Sequence, residues 1–358
     1  MNAQPPKSVC ILRLSAIGDV THVLPTLHTL RSNWPDVRIS WIIGRTEASL
    51  VGDIEGVEFI IFDKNRGLAA YRELSKTLAG RRFDILLHMQ VSLRASLASL
   101  LVKASTRLGF DRARARNGQW LFTNQRISPR ANQHVLDSFL EFPRALGLEQ
   151  IDLRWNIPIP ASASAYVDEL IPPPKSFLAI NPCSSNRARN WRNWEIGAYA
   201  AIIDHAWEKY GLLTVLTGGP DPMEIGYAEQ ITAAAEHPPL STVGKTNLKQ
   251  LAALLQRAEL LIAPDTGPAH MANAMGTPVI GLYASSNPER TGPYHSRKIT
   301  VNKYPQAIAE EFGKQVSEVR WGQRVRNPAV MSLIGVEEVR ERLDELMNDT
   351  ARDQGSTR

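Results

Sequence analysis

Only two cysteines, Cys10 and Cys183, occur in the 358 residues, too few and too far apart for a disulfide scaffold or a zinc site. A reducing, cytoplasmic compartment is the expectation. No Gly-x-Gly-x-x-Gly follows the first apolar run, which argues against a dinucleotide dehydrogenase, and no Gly-x-Ser-x-Gly elbow supports a hydrolase. Val243 to Thr246, VGKT, carries the ending of a phosphate loop, but Pro239 stands where its first glycine belongs, so a turn is expected there. There is also no Asp-x-Asp triplet to hold a divalent metal. The longest stretch without Asp, Glu, Lys or Arg, Thr266 to Pro288, is broken by prolines, glycines, asparagines and His270, which excludes a membrane-spanning helix. One Lys before an apolar run that soon meets Arg13 and Asp19 makes a poor export signal and a good first strand. Aromatics make up 7% of the chain and do not interleave with its basic runs, so nucleic acid is a poor fit as partner.

What is present reads as a soluble α/β protein. Its 41 Lys and Arg against 36 Asp and Glu leave a net charge of +5, a mild preference for anionic partners. The length suits two domains, each able to bury a core. Strand-like runs at Val9 to Leu14, Val37 to Ile43, Val57 to Phe62 and Ile85 to Met89 alternate with helix-like segments from Val23, Leu68 and Leu93. After Pro172, Pro173 and Pro174 the alternation restarts with Phe177 to Ile180, Glu195 to Tyr210, Leu212 to Thr217, Met223 to Ala235 and Leu248 to Ala258. A proline triplet fits neither helix nor central strand and marks a linker, giving expected domains 1–171 and 172–334. Apolar Val336, Val339, Leu343 and Leu346 on helical spacing form a terminal helix within 335–358, with a frayed charged tail from Asn348.

The densest chemistry lies between Leu261 and Tyr294, LIAPDTGPAHMANAMGTPVIGLYASSNPERTGPY. An apolar run ends at Ala263, Asp265 and Thr266 supply helix-capping chemistry, Gly267 allows close backbone approach and Pro268 suits a first helical turn. Such a helix start offers backbone N–H groups to an anion, and His270, one turn beyond Thr266, shares that face. Asn287, Thr291 and Tyr294 follow the next strand and are expected at the same mouth. Asp265 repels phosphate, so capping or sugar hydroxyls suit it better. Ser184, Ser185, Arg187 and Arg189 offer hydroxyls and guanidinium groups after the Phe177 strand. Near the N-terminus, Asp19 follows the first strand, where a catalytic carboxylate and an ordinary helix-capping aspartate are both consistent with the spacing. Arg107, Arg112, Arg114 and Arg116 form either a solvated basic loop or a receptor for acidic groups.

Three segments carry a family resemblance: DTGPAH with its GPY-ended loop, ILRLSAIGDVTHVLP from Ile11 to Pro25, and NPCSSNRARNW from Asn181 to Trp191. Taken together, and in their order along the chain, they resemble glycosyltransferase family 9, which includes the lipopolysaccharide heptosyltransferases. The resemblance implies a GT-B fold: two Rossmann-like parallel-sheet domains facing across a cleft, with a C-terminal helix packing back across them. It implies inverting transfer from a nucleotide sugar, ADP-heptose, to a lipid-linked inner-core acceptor at the cytoplasmic face of the inner membrane, and the missing Asp-x-Asp triplet adds the expectation of metal-independent transfer with no cofactor. Asp19 becomes the general base. Ser184, Ser185, Arg189, Glu224, Asp265, Thr266, Gly267 and His270 become donor-binding residues, with Glu224 in the ribose-binding place and Arg189 where the family has lysine. Arg13, Ser15, Gly18 and Arg112 become acceptor-binding residues, Arg13 aligning with a family lysine. Because a helix N-terminus favours a charged carboxylate and a sugar hydroxyl is a poor acid, proton loss to Asp19 must be concerted with glycosyl transfer. Another nucleotide sugar, a non-catalytic sugar-nucleotide or glycolipid-binding relative and an epimerase on the same fold are the alternatives; AIGDVTH, PCSSNRARNW and DTGPAH depart from the best-known wording and point to a divergent branch.

Overall fold

A computed structural model of the chain describes residues 5–184 and 191–356, with side chains as far as Asp349. The chain divides into two compact units, Met1–Pro158 and Ile159–Arg358.

The first unit runs β1 (Ser8–Leu12), α1 (Ile17–Asn33), β2 (Arg38–Gly44), α2 (Arg45–Val51), β3 (Val57–Phe62), α3 (Leu68–Thr77), β4 (Phe83–His88), α4 (Leu93–Ser99), β5 (Ala104–Gly109), β6 (Gln125–Arg126) and α5 (Val135–Ala145). Its strands lie in the order β3-β2-β1-β4-β5-β6, all parallel. Every residue of β1 is buried, as expected of a strand covered on both faces. The strand order reverses between β1 and β4, and open α/β sheets bind ligands at the carboxyl ends of such a pair.

Helix α1 begins at Ile17, ahead of the expected Val23, and takes Pro25 into its interior. Every residue from Gly18 to Leu30 is buried except Asp19, which is half-buried, so packing outweighs the cost of the proline. Its polar side chains anchor it. The Thr26 hydroxyl donates to Phe139 O at 3.2 Å on α5, His28 Nε2 lies 3.1 Å from Trp155 O, and Thr29 Oγ1 accepts from Asp152 N at 3.0 Å. The helix that carries Asp19 in its first turn is thus held along its length.

The second unit comprises α6 (Ala161–Leu170), β7 (Phe177–Ile180), α7 (Ile196–Tyr210), β8 (Leu213–Leu216), α8 (Pro222–Ala234), β9 (Leu240–Ser241), α9 (Leu248–Arg257), β10 (Leu260–Pro264), α10 (Gly267–Met275), β11 (Val279–Tyr283), α11 (Pro288–Thr291), β12 (Val301–Asn302), α12 (Tyr304–Phe312) and α13 (Val336–Ser356). The order β12-β11-β10-β7-β8-β9, again parallel, repeats the first sheet's topology, with its reversal between β7 and β10. The division falls before α6 rather than at the prolines: α6 packs on α9, where Arg257 reaches Val167 O at 3.2 Å and Asp168 Oδ1 at 2.8 Å. The triplet instead makes the turn into β7, with Lys175 N donating to Pro172 O.

Helix α13 continues past the expected fray at Asn348 to Ser356, since a nucleated helix gains one bond per added residue. Val339 and Leu343 are fully buried, and the helix packs on α7 and β11. Asp344 completes the seam: its carboxylate accepts from Lys209 Nζ at 2.7 Å and Tyr210 Oη at 2.7 Å and lies 2.8 Å from His205 Nε2. Burial pushes this carboxyl up, but Lys209, Tyr210 and His205 outweigh it and hold it at about 2. A depressed carboxyl stabilises the fold above its ordinary value and loses that contribution as pH falls through the folded value. Asp344→Asn is therefore expected to cost about 1 to 2 kcal/mol at pH 7, kept small by the half-exposed Lys209. In urea unfolding the gap to the parent should narrow below the ordinary carboxylate range; a gap independent of pH would show that packing, not charge, holds the seam.

Candidate active site

At the β1/β4 reversal the chain leaves β1 through Arg13. The Arg13 backbone donates to Ile42 O at 3.2 Å and accepts from the Trp41 indole at 3.1 Å, locking this exit to β2. The nearly buried Arg13 guanidinium donates to Met89 O at 2.6 Å, lies 5.1 Å from the centre of the Phe139 ring, and pairs with the Asp19 carboxylate. Asp19 is the third residue of α1, not its cap: Ala16 holds the cap position, and Asp19 Oδ2 reaches back to Ala16 N at 3.5 Å. Its side chain stays 35% exposed while that of Arg13 is 10% exposed, so the carboxylate faces outward from a cation fixed behind it. Arg13, expected at the acceptor, is placed as the partner of Asp19.

Gln90, just beyond β4, was not singled out by the sequence reading. Its Oε1 accepts from Leu14 N at 2.6 Å, and its Nε2 donates to Ser15 Oγ at 3.3 Å. A polar residue directly after a buried strand that pairs with β1 was the available signal. Gly18 is buried, and its carbonyl accepts from Thr21 Oγ1 at 2.7 Å. Ser15, Gly18 and Asp19 are therefore brought together.

The basic run after β5 divides by role. Arg107 is consumed internally, donating to Val102 O, Ser99 O and Phe122 O at 2.7 to 2.9 Å. Arg114 pairs with Asp111 and donates to Gln133 Oε1 and Ser128 O. Arg112 and Arg116 are exposed, Arg112 lying 5.5 Å from the centre of the Trp120 ring. Of these four, the two exposed arginines remain open to an anionic ligand.

At the β7/β10 reversal, β10 ends in Pro264, and Thr266 caps α10 by accepting from Ala269 N at 3.4 Å. The cap is Thr266 rather than Asp265, which is buried against Arg192: the guanidinium donates to the Asp265 carbonyl and lies 3.2 Å from its carboxylate. His270 Nε2 is 3.8 Å from the other carboxylate oxygen. Burial alone would push the Asp265 carboxyl up; His270, Arg192 and Arg324 together bring it well below the usual carboxylate range. Arg192, one residue beyond the motif that ends at Trp191, is the cation the sequence reading missed.

Across from α10, Asn181 follows β7. Its Nδ2 donates to Thr217 O at 3.0 Å, and its buried Oδ1 has no partner among the described residues. Ser184 is buried and donates its N–H to Asn193 Oδ1 at 3.0 Å. Ser185, Arg187 and Arg189 lie outside the described residues. Glu224 Oε2 accepts from Gly219 N at 2.7 Å beyond β8; burial raises its carboxyl, the Gly219 N–H lowers it and Asp221 raises it further, for a net rise. A Cβ on Gly218 would lie 2.8 Å from Glu224 Oε2, so the glycine is what lets the carboxylate close on this turn. Thr266, Gly267, His270 and Asp265 share one strand-to-helix junction.

The 287–294 loop largely closes on itself. Asn287 Oδ1 accepts from Glu289 N, Thr291 donates to Asn287 O and accepts from Tyr283 Oη, and Tyr294 stacks beneath Arg297. Asn287 Nδ2 is buried without a partner among the described residues. Among those residues, too, no three His, Cys, Asp or Glu are grouped to hold a metal ion.

Residues 71–321 match the profile of glycosyltransferase family 9 (heptosyltransferase). The chain is 39% identical over 336 residues to the lipopolysaccharide core heptosyltransferase OpsX of Haemophilus influenzae, covering 94% of this chain and 96% of that one. Among solved structures it resembles a family 9 glycosyltransferase from Veillonella parvula (TM-score 0.77, 21% identity, 96% of this chain and 97% of that one). It also resembles Escherichia coli heptosyltransferase WaaC with ADP (TM-score 0.72, 18% identity, 95% and 99%). These likenesses establish the GT-B fold for the two Rossmann-like units.

Proposed function

The chain belongs to glycosyltransferase family 9 and is a glycosyltransferase, and from that premise we propose that it moves heptose from ADP-heptose to a sugar of the lipopolysaccharide inner core, with inversion and without a metal ion. The observation that carries this reading is the outward-facing Asp19 carboxylate, fixed by Arg13 at the carboxyl end of β1. The acceptor hydroxyl attacks the anomeric carbon as the bond to the diphosphate breaks, and its proton passes to Asp19. Inversion follows from a single displacement, and concerted timing avoids a free alkoxide.

The second unit would hold the leaving group. The α10 N-terminus, capped by Thr266 and opened by Gly267, offers backbone N–H groups to the diphosphate. Ser184, Ser185, Arg189 and His270 would add hydroxyls and charge, and Glu224 would accept from the ribose. Asp265, held by Arg192, fixes the junction and keeps a carboxylate from facing phosphate unpaired. Ser15, Gly18 and Arg112 would receive the acceptor, while Arg13 acts through Asp19.

Thermal-shift titration with ADP, UDP, GDP and CMP sugars tests the donor: ADP-heptose should raise Tm most, because a ligand bound only to the folded state stabilises it by mass action. Transfer should proceed undiminished in EDTA, since α10 and basic side chains neutralise the diphosphate. Loss with chelator that magnesium or manganese restores would replace this account with a metal-assisted one.

A further inference from the structure

Helix α4 is inside out. Leu93, Leu97 and its following residue Leu100 fall on one face at i, i+4 and i+7, and that face is exposed, Leu100 by 60%. Ala95, Ser96, Ala98 and Ser99 form the buried face instead. Beside α4, the short turn Gln119–Phe122 exposes Trp120 by 40% and Leu121 by 68%. Arg107 staples the two, donating to Ser99 O and Phe122 O. Exposed large apolar side chains gathered on two elements in contact mark an interaction surface.

Its surroundings specify the partner. Residues 91–130 contain eight Lys and Arg against one acidic residue, Asp111, which is buried and paired with Arg114. Arg94 on α4, Lys103 after it, and Arg112 and Arg116 ahead of the turn are exposed, Arg112 over the Trp120 ring. An apolar face rimmed by cations matches an anionic bilayer, whose headgroups meet the rim while the leucines and tryptophan enter the acyl boundary. A second copy of this chain would instead bring one cationic rim against another.

The patch is linked to the segment that leads into Asp19. Gln119 Nε2 donates to His88 O at 2.7 Å and to Gln90 O at 3.3 Å, and Gln90 holds Leu14 and Ser15. We infer that the face formed by α4 and the Gln119–Phe122 turn docks on an anionic lipid surface, so that a lipid-borne acceptor is delivered beside Asp19. The purpose of the docking rests on the proposed acceptor; the docking itself does not.

The test is co-sedimentation with vesicles of phosphatidylcholine alone or mixed equally with phosphatidylglycerol, neither containing acceptor. The protein should partition onto the anionic vesicles, less so in high salt, and not onto neutral ones. The triple variant Leu93→Gln, Leu97→Gln, Leu121→Gln should bind at least ~10-fold more weakly, and Leu121→Gln alone should show part of that loss. Both should keep the parental thermal shift with ADP, which reports folding. Turnover on a water-soluble acceptor sugar should be unchanged in the triple variant, and turnover on vesicle-borne acceptor should fall. Equal partition of parent and triple variant would overturn the inference. So would a dimer that the variant abolishes without any vesicle binding by the parent, which would assign the face to self-association. If the transfer reading fails instead, vesicle binding persists while ADP-heptose gives no shift.

Discussion

Asp19→Asn is expected to bind ADP-heptose as the parent does and to transfer its sugar at least ~10²-fold more slowly. Asparagine keeps the shape of the side chain and an oxygen that can accept from Ala16 N and Arg13, so the turn after β1 should persist. What it removes is the proton acceptor, and with it the only route by which the attacking hydroxyl loses its proton to the protein in the proposed mechanism. The factor stays near that of general-base catalysis because leaving-group stabilisation and positioning belong to other residues. Initial rates with saturating donor, beside calorimetric titration of ADP, separate the outcomes. Parental turnover would remove Asp19 from the chemistry, and lost ADP affinity would make its role structural. An unchanged KM for the acceptor would place the loss in the chemical step.

Much of the fold was legible because parallel strands buried on both faces read as unbroken apolar runs, as in Val9 to Leu12 of β1 and FLAI of β7. β5, ASTRLG, was not, because it is polar at its start and holds Arg107, whose charge is met by Ser99 and Val102 at and beyond the end of α4 and by Phe122 O of the Gln119–Phe122 turn. The strand-end addresses of Asp19 and Thr266 were also readable, since turn and capping residues act locally. The partners were not. Arg13 meets Met89 and Phe139, and Asp265 meets Arg192, only through sheet topology. Helix α4 shows the limit of periodicity: its leucine spacing suits a buried stripe, yet small residues let its opposite face pack closely on the sheet and leave the leucines outside.

Arg192→Met should give the largest stability loss, about 3 to 5 kcal/mol at neutral pH, because it leaves the Asp265 carboxylate buried without its closest cation. The side chains of the pair are 13% and 8% exposed, so water cannot replace the guanidinium. In the parent, the depressed Asp265 carboxyl adds stability above the ordinary carboxylate range and loses it as pH falls. Removing the cation raises that carboxyl, so the difference between parent and variant should shrink as acid protonates it. Adding Asp265→Asn to Arg192→Met should recover much of the loss, since an amide bears no charge to strand, whereas independent sites would show additive costs. Urea unfolding of the four proteins across pH 4 to 7 measures this cycle; additivity, or a loss that does not depend on pH, would refute the ion pair as its source. ADP titration of the doubly substituted protein then separates fold from function. Recovered stability with weakened ADP binding would mean that the pair shapes the phosphate-receiving start of α10, and recovered binding would confine it to holding the β10–α10 junction.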